Sequence, residues 1–238
     1  MDTFWIGLGV VLGSVGVLGY YAFVFLPAQL HRWRCQSLRA FAKAIELRTQ
    51  GRYGDTELLA QLALAVSTRL GIEGYERKRL ELAIYLRDIG MVGIPYALLN
   101  KTTPLSPMEQ LTLARHAEIG AAIVEQIPGL SAVAELVRLH HVVYAQHPDA
   151  PLSAHLLAAL SDFVEIAHHQ DYDAALATLR AGAGDRYHPQ VVQAIEAELA
   201  ARPLTSWAPL RRSAALWLGL MVYPLKDLTR LLVELARH

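Results

Sequence analysis

The sequence predicts an all-α fold, in which a helical bundle is preceded by one transmembrane helix and followed by an amphipathic C-terminal helix. Residues 4–26 carry no charged side chain, which suits a membrane span. Apolar residues then repeat at helical spacing up to about residue 201, and no alternating pattern typical of a β-strand interrupts them. The expected segments are an anchor (1–27), a basic juxtamembrane linker helix (28–54), the bundle (55–202) and a tail (203–238).

The composition excludes some classes of partner. Of the 238 residues, 53% are hydrophobic and only 18% are charged, which is apolar for a soluble protein. Lys and Arg together number 22, as do Asp and Glu, so no net field attracts nucleic acid and we expect no nucleic-acid partner. The single cysteine, Cys35, excludes an internal disulfide framework and is typical of a reducing compartment.

The anchor is expected to leave the N-terminus outside the cell. A span needs about 20 apolar residues, and residues 4–26 supply them. Only Asp2 precedes the run, whereas basic side chains follow it, at His31, Arg32, Arg34, Arg39 and Lys43. Because positive charge stays in the cytoplasm, everything after Pro27 is predicted to be cytoplasmic. Cys35 would then lie beside the membrane, either as a lipidation site or as an inert thiol.

A central helix is predicted over residues 77–89, ended by Gly90. It is apolar on most sides, yet it carries the adjacent charges Arg87 and Asp88. Two charges in such a helix are costly unless they are paired or bound to something. The pair is therefore either a structural ion pair or the floor of a site.

Start and stop signals mark the other helices. Asp55 or Thr56 is expected to cap the first helix of the bundle. Residues 106–109 read as a capping box with proline at the first helical position, starting a helix that runs to about residue 126. Further helices are expected to begin at Ser131, Pro151 and Pro189. The helix that begins at Ser131 would carry His140 and His141.

The tail ends in a leucine stripe opposite charged side chains over residues 225–237. Such a helix suits a membrane surface, a protein partner, or packing on the domain. The sequence leaves these three open.

Polar residues that could carry chemistry are spread over the helices of the bundle. A single histidine of this kind is usually a satisfied core residue, but bundle cores also build metal sites from facing helices. Adjacent histidines on a helix diverge by about 100°, so both would reach one site only if it were wide, as a two-metal site is. The candidates are Asp55, Asp88, His116, His140, His141 and Asp162.

The order of these segments resembles the HD-GYP domain, the bacterial cyclic-di-GMP phosphodiesterase branch of the HD superfamily, over roughly residues 55–200. The most specific part is Asp-Ile-Gly-Met-Val-Gly-Ile-Pro at 88–95. The other matching segments are 98–101, 105–107, 115–120, 140–141, 161–162, 182–184 and 187–189. The resemblance implies an HD-GYP-like helical bundle in a bacterial cytoplasmic (inner) membrane protein.

This chain departs from the family pattern at positions that matter for catalysis. The family places a metal-ligating histidine where this chain has Asp55, and the histidine of its His-Asp pair where this chain has Arg87. The family also has a lysine linked to catalysis where this chain has Met91, and a glutamate where this chain has Val142. The Gly-Tyr-Pro loop is missing from residues 142–151.

Arg87 brings a fixed positive charge to a ligand position, because arginine keeps its proton in a protein and cannot ligate. We expect it to pair with Asp88, Asp162 or Asp55 and to replace a metal ion as the countercharge. A site without metal is the expected state. The alternative is one Zn²⁺, Fe²⁺ or Mn²⁺ held by the four remaining candidate ligands, Asp88, His116, His140 and His141.

The leading hypothesis is a membrane-anchored, catalytically degenerate HD-GYP-like protein that binds or scaffolds protein partners in a signalling or assembly complex, with a homo-oligomer as one form. The second hypothesis is an active metal-dependent phosphodiesterase or phosphohydrolase, with Asp55 as a replacement ligand. The third is a sensor that binds a cyclic dinucleotide without cleaving it, which the missing loop disfavours.

Overall fold

The structure is a computed structural model that describes residues 2–49 and 55–202, and both ranges are built from helices. Within them there is no β-strand, only an isolated bridge between Ala183 and Tyr187. The predicted all-α class is confirmed. The predicted break at 50–54 and the tail at 203–238 lie outside the described residues.

A single uninterrupted helix forms the N-terminal part. It consists of α1 (Asp2–Tyr20), a π-helical turn (Tyr21–Phe25) and α2 (Leu26–Arg48). Among the described residues, the 45-residue helix Phe4–Arg48 is long and apolar enough to cross a membrane, by length and composition. Its large apolar side chains near the N-terminus are exposed. The orientation across a membrane and the bacterial inner membrane stay predictions.

The second half of α2 packs on the bundle. Its buried side chains, Leu38, Ala42 and Ile45, face α4 (Gly74–Leu86) and the segment that follows it. The predicted juxtamembrane helix is therefore docked on the domain as well as joined to the apolar span.

The core is built around α9 (Leu152–His169), which packs against α3 (Thr56–Arg69), α4 and α10 (Tyr172–Ala181). Phe163 on α9 is fully buried. The remaining elements are a 3₁₀ helix (Ile89–Gly93), α5 (Tyr96–Leu99), α6 (Pro107–Ala114), α7 (His116–Glu125), α8 (Ser131–Arg138) and α11 (Pro189–Ala201).

Two predicted helix starts are confirmed by their caps. Asp55 caps α3, because its Oδ1 accepts hydrogen bonds from the backbone N–H groups of Glu57 (2.8 Å) and Leu58 (3.1 Å). The capping box at the start of α6 is complete, since Ser106 and Glu109 each accept from the other's backbone N–H.

The central helix ends earlier than predicted. It stops at Leu86, so Arg87 and Asp88 lie in the turn between α4 and the 3₁₀ helix. Gly90 belongs to the 3₁₀ helix and lies against the backbone of α7, where a Cβ would come within 1.9 Å of the His116 carbonyl oxygen. Only glycine allows this approach, which brings Asp88 close to His116.

Two other predicted helices are also interrupted beside histidines. The helix expected over 106–126 breaks at Arg115, and the one beginning at Ser131 ends at Arg138, before His140. At the second interruption, His140 Nδ1 lies 2.6 Å from the Val137 carbonyl, the group that would accept from residue 141 in a continuing helix. The 100° divergence of two adjacent helical residues therefore does not apply to His140 and His141.

Candidate metal centre

Two buried histidines face each other at the centre of the site. His116 begins α7 and His140 follows α8, and their exposed fractions are 3% and 0%. The Nδ1 of His116 lies 2.7 Å from the Leu113 carbonyl, and that of His140 lies 2.6 Å from the Val137 carbonyl. A carbonyl only accepts hydrogen bonds, so each Nδ1 carries a proton, and in the neutral form of each ring Nε2 presents its lone pair.

These two lone pairs point at one another. The Nε2 atoms of His116 and His140 are 3.0 Å apart. Two acceptors at this separation repel unless a proton or a cation lies against both. The backbone thus fixes the two rings in the tautomer and orientation that a metal ion requires.

Asp88 connects this pair to Arg87. Its Oδ1 lies 3.8 Å from Nε2 of both His116 and His140. Its Oδ2 forms an ion pair of 3.0 Å with Nη2 of Arg87. One carboxylate therefore faces a guanidinium on one side and two imidazole nitrogens on the other.

Arg87 is buried, with 2% of the residue exposed. Besides Asp88, its Nη1 lies 3.3 Å from the Ile84 carbonyl and 3.4 Å from Thr56 Oγ1. Of the three expected partners, the ion pair is thus formed with Asp88. The guanidinium is held where its charge is neutralised by a carboxylate of the site.

His141 and Asp162 form the outer part of the site. The Nδ1 of His141 lies 3.9 Å from Asp162 Oδ1, and His141 groups with His116 and His140 so that one potential ligand atom from each lies within 4.8 Å of the others. The other oxygen of Asp162 accepts from Arg186, at 2.9 and 2.7 Å, and from the Tyr187 hydroxyl at 2.8 Å. Half of the Asp162 carboxylate is therefore already committed to protein donors.

Asp55 is not brought into this group. Among the described residues, the ligand atoms that converge belong to the three histidines, and Asp55 uses one carboxylate oxygen as the cap of α3. Its neighbour Thr56 is the residue that contacts Arg87. The structure thus brings together Asp88, His116, His140, His141, Asp162 and Arg87 from the sequence-based candidates, but not Asp55.

The environment favours the neutral form of His140 and His141. Burial, followed by the nearby rings of His141 and His116, lowers the pKa of His140 well below its usual value. Desolvation of the inner part of its ring, followed by the proximity of His116, also lowers the pKa of His141, although 39% of that side chain is exposed. Neutral imidazole is the form that ligates a metal ion.

Glu165 and Arg186 line the site and were missed by sequence reasoning. An open cleft of about 540 Å³ is bordered by His116, His141, Asp162 and both of these residues. Glu165 lies one helical turn after Asp162 on α9, so i,i+3 spacing could have indicated it. Nothing in the sequence indicated Arg186, which lies 24 residues away from Asp162.

Burial, and then the carboxylates of Asp162 and Asp88, raise the pKa of Glu165 to about 7, while Arg87 and Arg186 act in the opposite direction. Because the folded-state pKa is raised, the ionised form of Glu165 destabilises the fold, and stability is lost as pH rises from about 4.5 to about 7. In chelator-treated protein, Glu165→Gln should therefore gain about 2 kcal/mol over the wild type between pH 4 and pH 8. Urea unfolding of both proteins across this range measures it, and a pH-independent difference would contradict it.

Comparison with known proteins places this site in a family context. The chain is 30% identical over 176 residues to the cyclic di-GMP phosphodiesterase response regulator RpfG of Xanthomonas campestris, covering 67% of this chain and 47% of that protein. It is 25% identical over 165 residues to a cyclic di-GMP phosphodiesterase of Thermotoga maritima, covering 63% and 45%. It is also 26% identical over 102 residues to the 3'3'-cGAMP-specific phosphodiesterase 3 of Vibrio cholerae, covering 43% and 22%.

The chain spans about half the length of the first two relatives and about a fifth of the third. A model of the HD domain family matches residues 39–191, which is more than half of the sequence. The match begins within α2. It includes the histidine cluster, which consists of His116, His140 and His141, together with Arg87, Asp88 and Asp162. The chain belongs to the HD domain family.

Proposed function

We propose that this protein is a membrane-anchored HD-domain protein of the HD-GYP type that holds one divalent metal ion. It acts by binding a protein partner, and it does not hydrolyse cyclic-di-GMP. The main observation behind the proposal is that the two oxygens of the Asp88 carboxylate have different partners. One of its oxygens is paired with Arg87 at 3.0 Å, and the other faces His116 and His140 at 3.8 Å.

The histidine cluster fits one metal ion. Two nitrogen ligands about 2.1 Å from one ion, at adjacent corners of an octahedron, lie about 3.0 Å apart. The Nε2 atoms of His116 and His140 have this separation, with His141 and the free oxygen of Asp88 beside them. We therefore revise the expectation of a metal-free site in favour of one ion, which would supply a Lewis-acidic position when bound.

A second ion is disfavoured by Arg87. Metal-assisted phosphodiester cleavage of the two-metal kind needs two cations close together, clamping the attacking and leaving oxygens. Here the far side of Asp88 is occupied by a guanidinium that cannot ligate, and Asp162 is bonded to Arg186 and Tyr187. The arrangement therefore supports a site with one metal ion, and it lacks the second ion that two-metal hydrolysis requires.

Replacing Arg87 by histidine should raise metal uptake. The substitution removes the fixed charge and restores an imidazole where the HD-GYP family has one, so we expect up to one additional equivalent of Mn²⁺ or Fe²⁺ per chain relative to the wild type. Metal analysis of the two full-length proteins in detergent measures this difference.

Arg87→Lys is the matched control, because it keeps the charge and supplies no imidazole. It should leave the metal content unchanged. Equal metal content in Arg87→His and in the wild type would argue against Arg87 as the stand-in for a metal ion.

A metal-dependent phosphodiesterase with an altered site is the second candidate. It is favoured by the open cleft, which is lined by His116, His141, Asp162 and Glu165, and by the relatives that bear phosphodiesterase names. Hydrolysis of cyclic-di-GMP or its linear product by the full-length protein, lost both with chelator and in His140→Ala, would establish this candidate and end the binding-only proposal.

The cellular setting is part of the proposal. The apolar helix Phe4–Arg48 supports a single-pass anchor, and the basic residues after it support a cytoplasmic HD domain that scaffolds a protein partner, with a homo-oligomer as one form. Protease added to intact bacterial cells and to inverted membrane vesicles tests the orientation. Digestion of the HD domain in intact cells would refute it.

A further inference from the structure

A second group of metal-ligating side chains lies where the juxtamembrane helix meets the domain. His31 and Cys35 are one turn apart on the same face of α2, and Glu81 projects from α4 opposite them. Cys35 is 4% exposed, and the side chains of His31 and Glu81 are 20% and 22% exposed. The thiol is thus enclosed, while the two other groups keep a narrow opening to solvent.

The three potential ligand atoms converge on one place. Nε2 of His31 lies 2.9 Å from Glu81 Oε2 and 3.6 Å from Cys35 Sγ, and all three atoms lie within 4.8 Å of one another. A tetrahedral Zn²⁺ ion with ordinary bond lengths separates its sulfur and nitrogen ligands by about 3.5 Å, and its nitrogen and oxygen ligands by about 3.3 Å. The two separations that involve His31 lie within a few tenths of an ångström of these values, and the thiol and the carboxylate lie within 4.8 Å of each other.

We propose that His31, Cys35 and Glu81 form a binding site for one borderline divalent transition metal ion, of which Zn²⁺ is the best match. Thiolate, imidazole and carboxylate together suit Zn²⁺, whereas Mg²⁺ and Ca²⁺ prefer oxygen ligands alone. Three protein ligands leave a fourth position for water, and the partial exposure of His31 and Glu81 gives the ion a path to the thiol.

Arg39, a basic residue on the same helix, already has other partners. Arg39, one turn beyond Cys35 on α2, donates to the Tyr85 hydroxyl at 2.8 Å and lies 3.8 Å from the Glu57 carboxylate. Its charge is therefore shared with Glu57, and the carboxylate of Glu81 remains directed at His31. Without an ion, the same three side chains form hydrogen bonds from His31 to Glu81 and between Cys35 and His31, and metal titration distinguishes these two states.

An ion at this place would act as a clamp. It would join α2, which continues the apolar span, to α4, which ends at Leu86 directly before Arg87 and Asp88. The clamp would hold the membrane-proximal helix against the helix that leads into the histidine cluster. This site uses none of the cluster's residues, so it stands or falls independently of the proposed function.

Cobalt spectroscopy tests the proposal, because Cys35 is the only cysteine in the sequence. Co²⁺ substitutes for Zn²⁺, and a thiolate bound to it gives a charge-transfer band in the near ultraviolet that must come from Cys35. We expect this band when Co²⁺ is added to the full-length protein in detergent, and we expect excess Zn²⁺ to remove it. His140→Ala should keep the band, since the histidine cluster contains no thiol.

Substitutions then define the ligand set. Cys35→Ser should abolish the band, and His31→Gln and Glu81→Gln should each weaken Co²⁺ binding by roughly tenfold or more. Glu73→Gln, which changes an exposed carboxylate at the start of the same helix α4 whose side chain makes no capping hydrogen bond, is the matched control and should bind as the wild type does. Absence of the band in the wild type at saturating Co²⁺ would overturn the proposal, as would unchanged affinity in both the His31 and Glu81 variants.

Discussion

We expect the His140→Ala variant to lose metal binding at the histidine cluster, with the affinity for Mn²⁺ or Zn²⁺ falling roughly 100-fold or more. His140 is fully buried, and its Nε2 lies 3.0 Å from that of His116 and 3.8 Å from Asp88. Removing it leaves His116 without the second nitrogen that fixes the ion. Titration calorimetry with each metal, performed in a Cys35→Ser background, isolates this site from the His31–Cys35–Glu81 group.

A buried histidine outside the cluster provides the control for damage to the fold. His155 is 2% exposed, and its substitution by alanine also leaves a cavity. His155→Ala should therefore lower the unfolding temperature without weakening metal binding. His141→Ala adds a variant that opens no core cavity, since 39% of that side chain is exposed, and it should weaken binding too. Normal affinity in both His140→Ala and His141→Ala would exclude the cluster as the metal site.

Gly90→Ala should be the most destabilising single substitution near the site, costing about 3 kcal/mol or more in unfolding free energy. The added Cβ would lie 1.9 Å from the His116 carbonyl oxygen and 2.5 Å from the Gly120 backbone nitrogen. Backbone atoms cannot rotate away, so the 3₁₀ helix and α7 must separate. Their separation also moves Asp88 away from His116, and metal binding should weaken together with stability. Urea unfolding and metal titration measure the two effects.

Gly93→Ala, in the same 3₁₀ helix, is the matched control. Its Cβ would meet only side-chain atoms of Ile119, at 3.1 and 3.2 Å, and these can rotate. We expect it to cost less than about 1.5 kcal/mol. If the two variants lost the same stability, close backbone contact at Gly90 would not be what joins the 3₁₀ helix to α7.

The features of the fold that could be predicted are those encoded locally. The Asp55 cap and the capping box at Ser106 are each formed within a few residues, and both are present as expected. The helix ends near the histidines could not be predicted in this way. They coincide with Nδ1 bonds from His116 and His140 to backbone carbonyls and with the approach of Gly90 to α7, and that approach exists only in the assembled bundle. The π-helical turn at Tyr21–Phe25 likewise had no signal that we recognised.

The parts of the site that could be predicted are residues whose chemical type and place in the family motif both indicate a metal site. The sequence identified the three histidines together with Asp88 and its partner Arg87, and the structure brings them together. It did not identify Glu165 or the bonding of Asp162 to Arg186, since these depend on how α9 faces the loop before α11. Asp55 shows the opposite case, because the sequence suggested a metal ligand and the structure uses one of its carboxylate oxygens to cap α3.

Counting metal ions while assaying hydrolysis tests the central claim most directly. Full-length Cys35→Ser protein in detergent, loaded with Mn²⁺ and freed of excess metal, should retain one equivalent per chain and should not hydrolyse cyclic-di-GMP above the level of its His140→Ala counterpart. This is the result expected if Arg87 occupies one half of a former two-metal site. Two equivalents per chain, with hydrolysis that requires His140, would contradict the account.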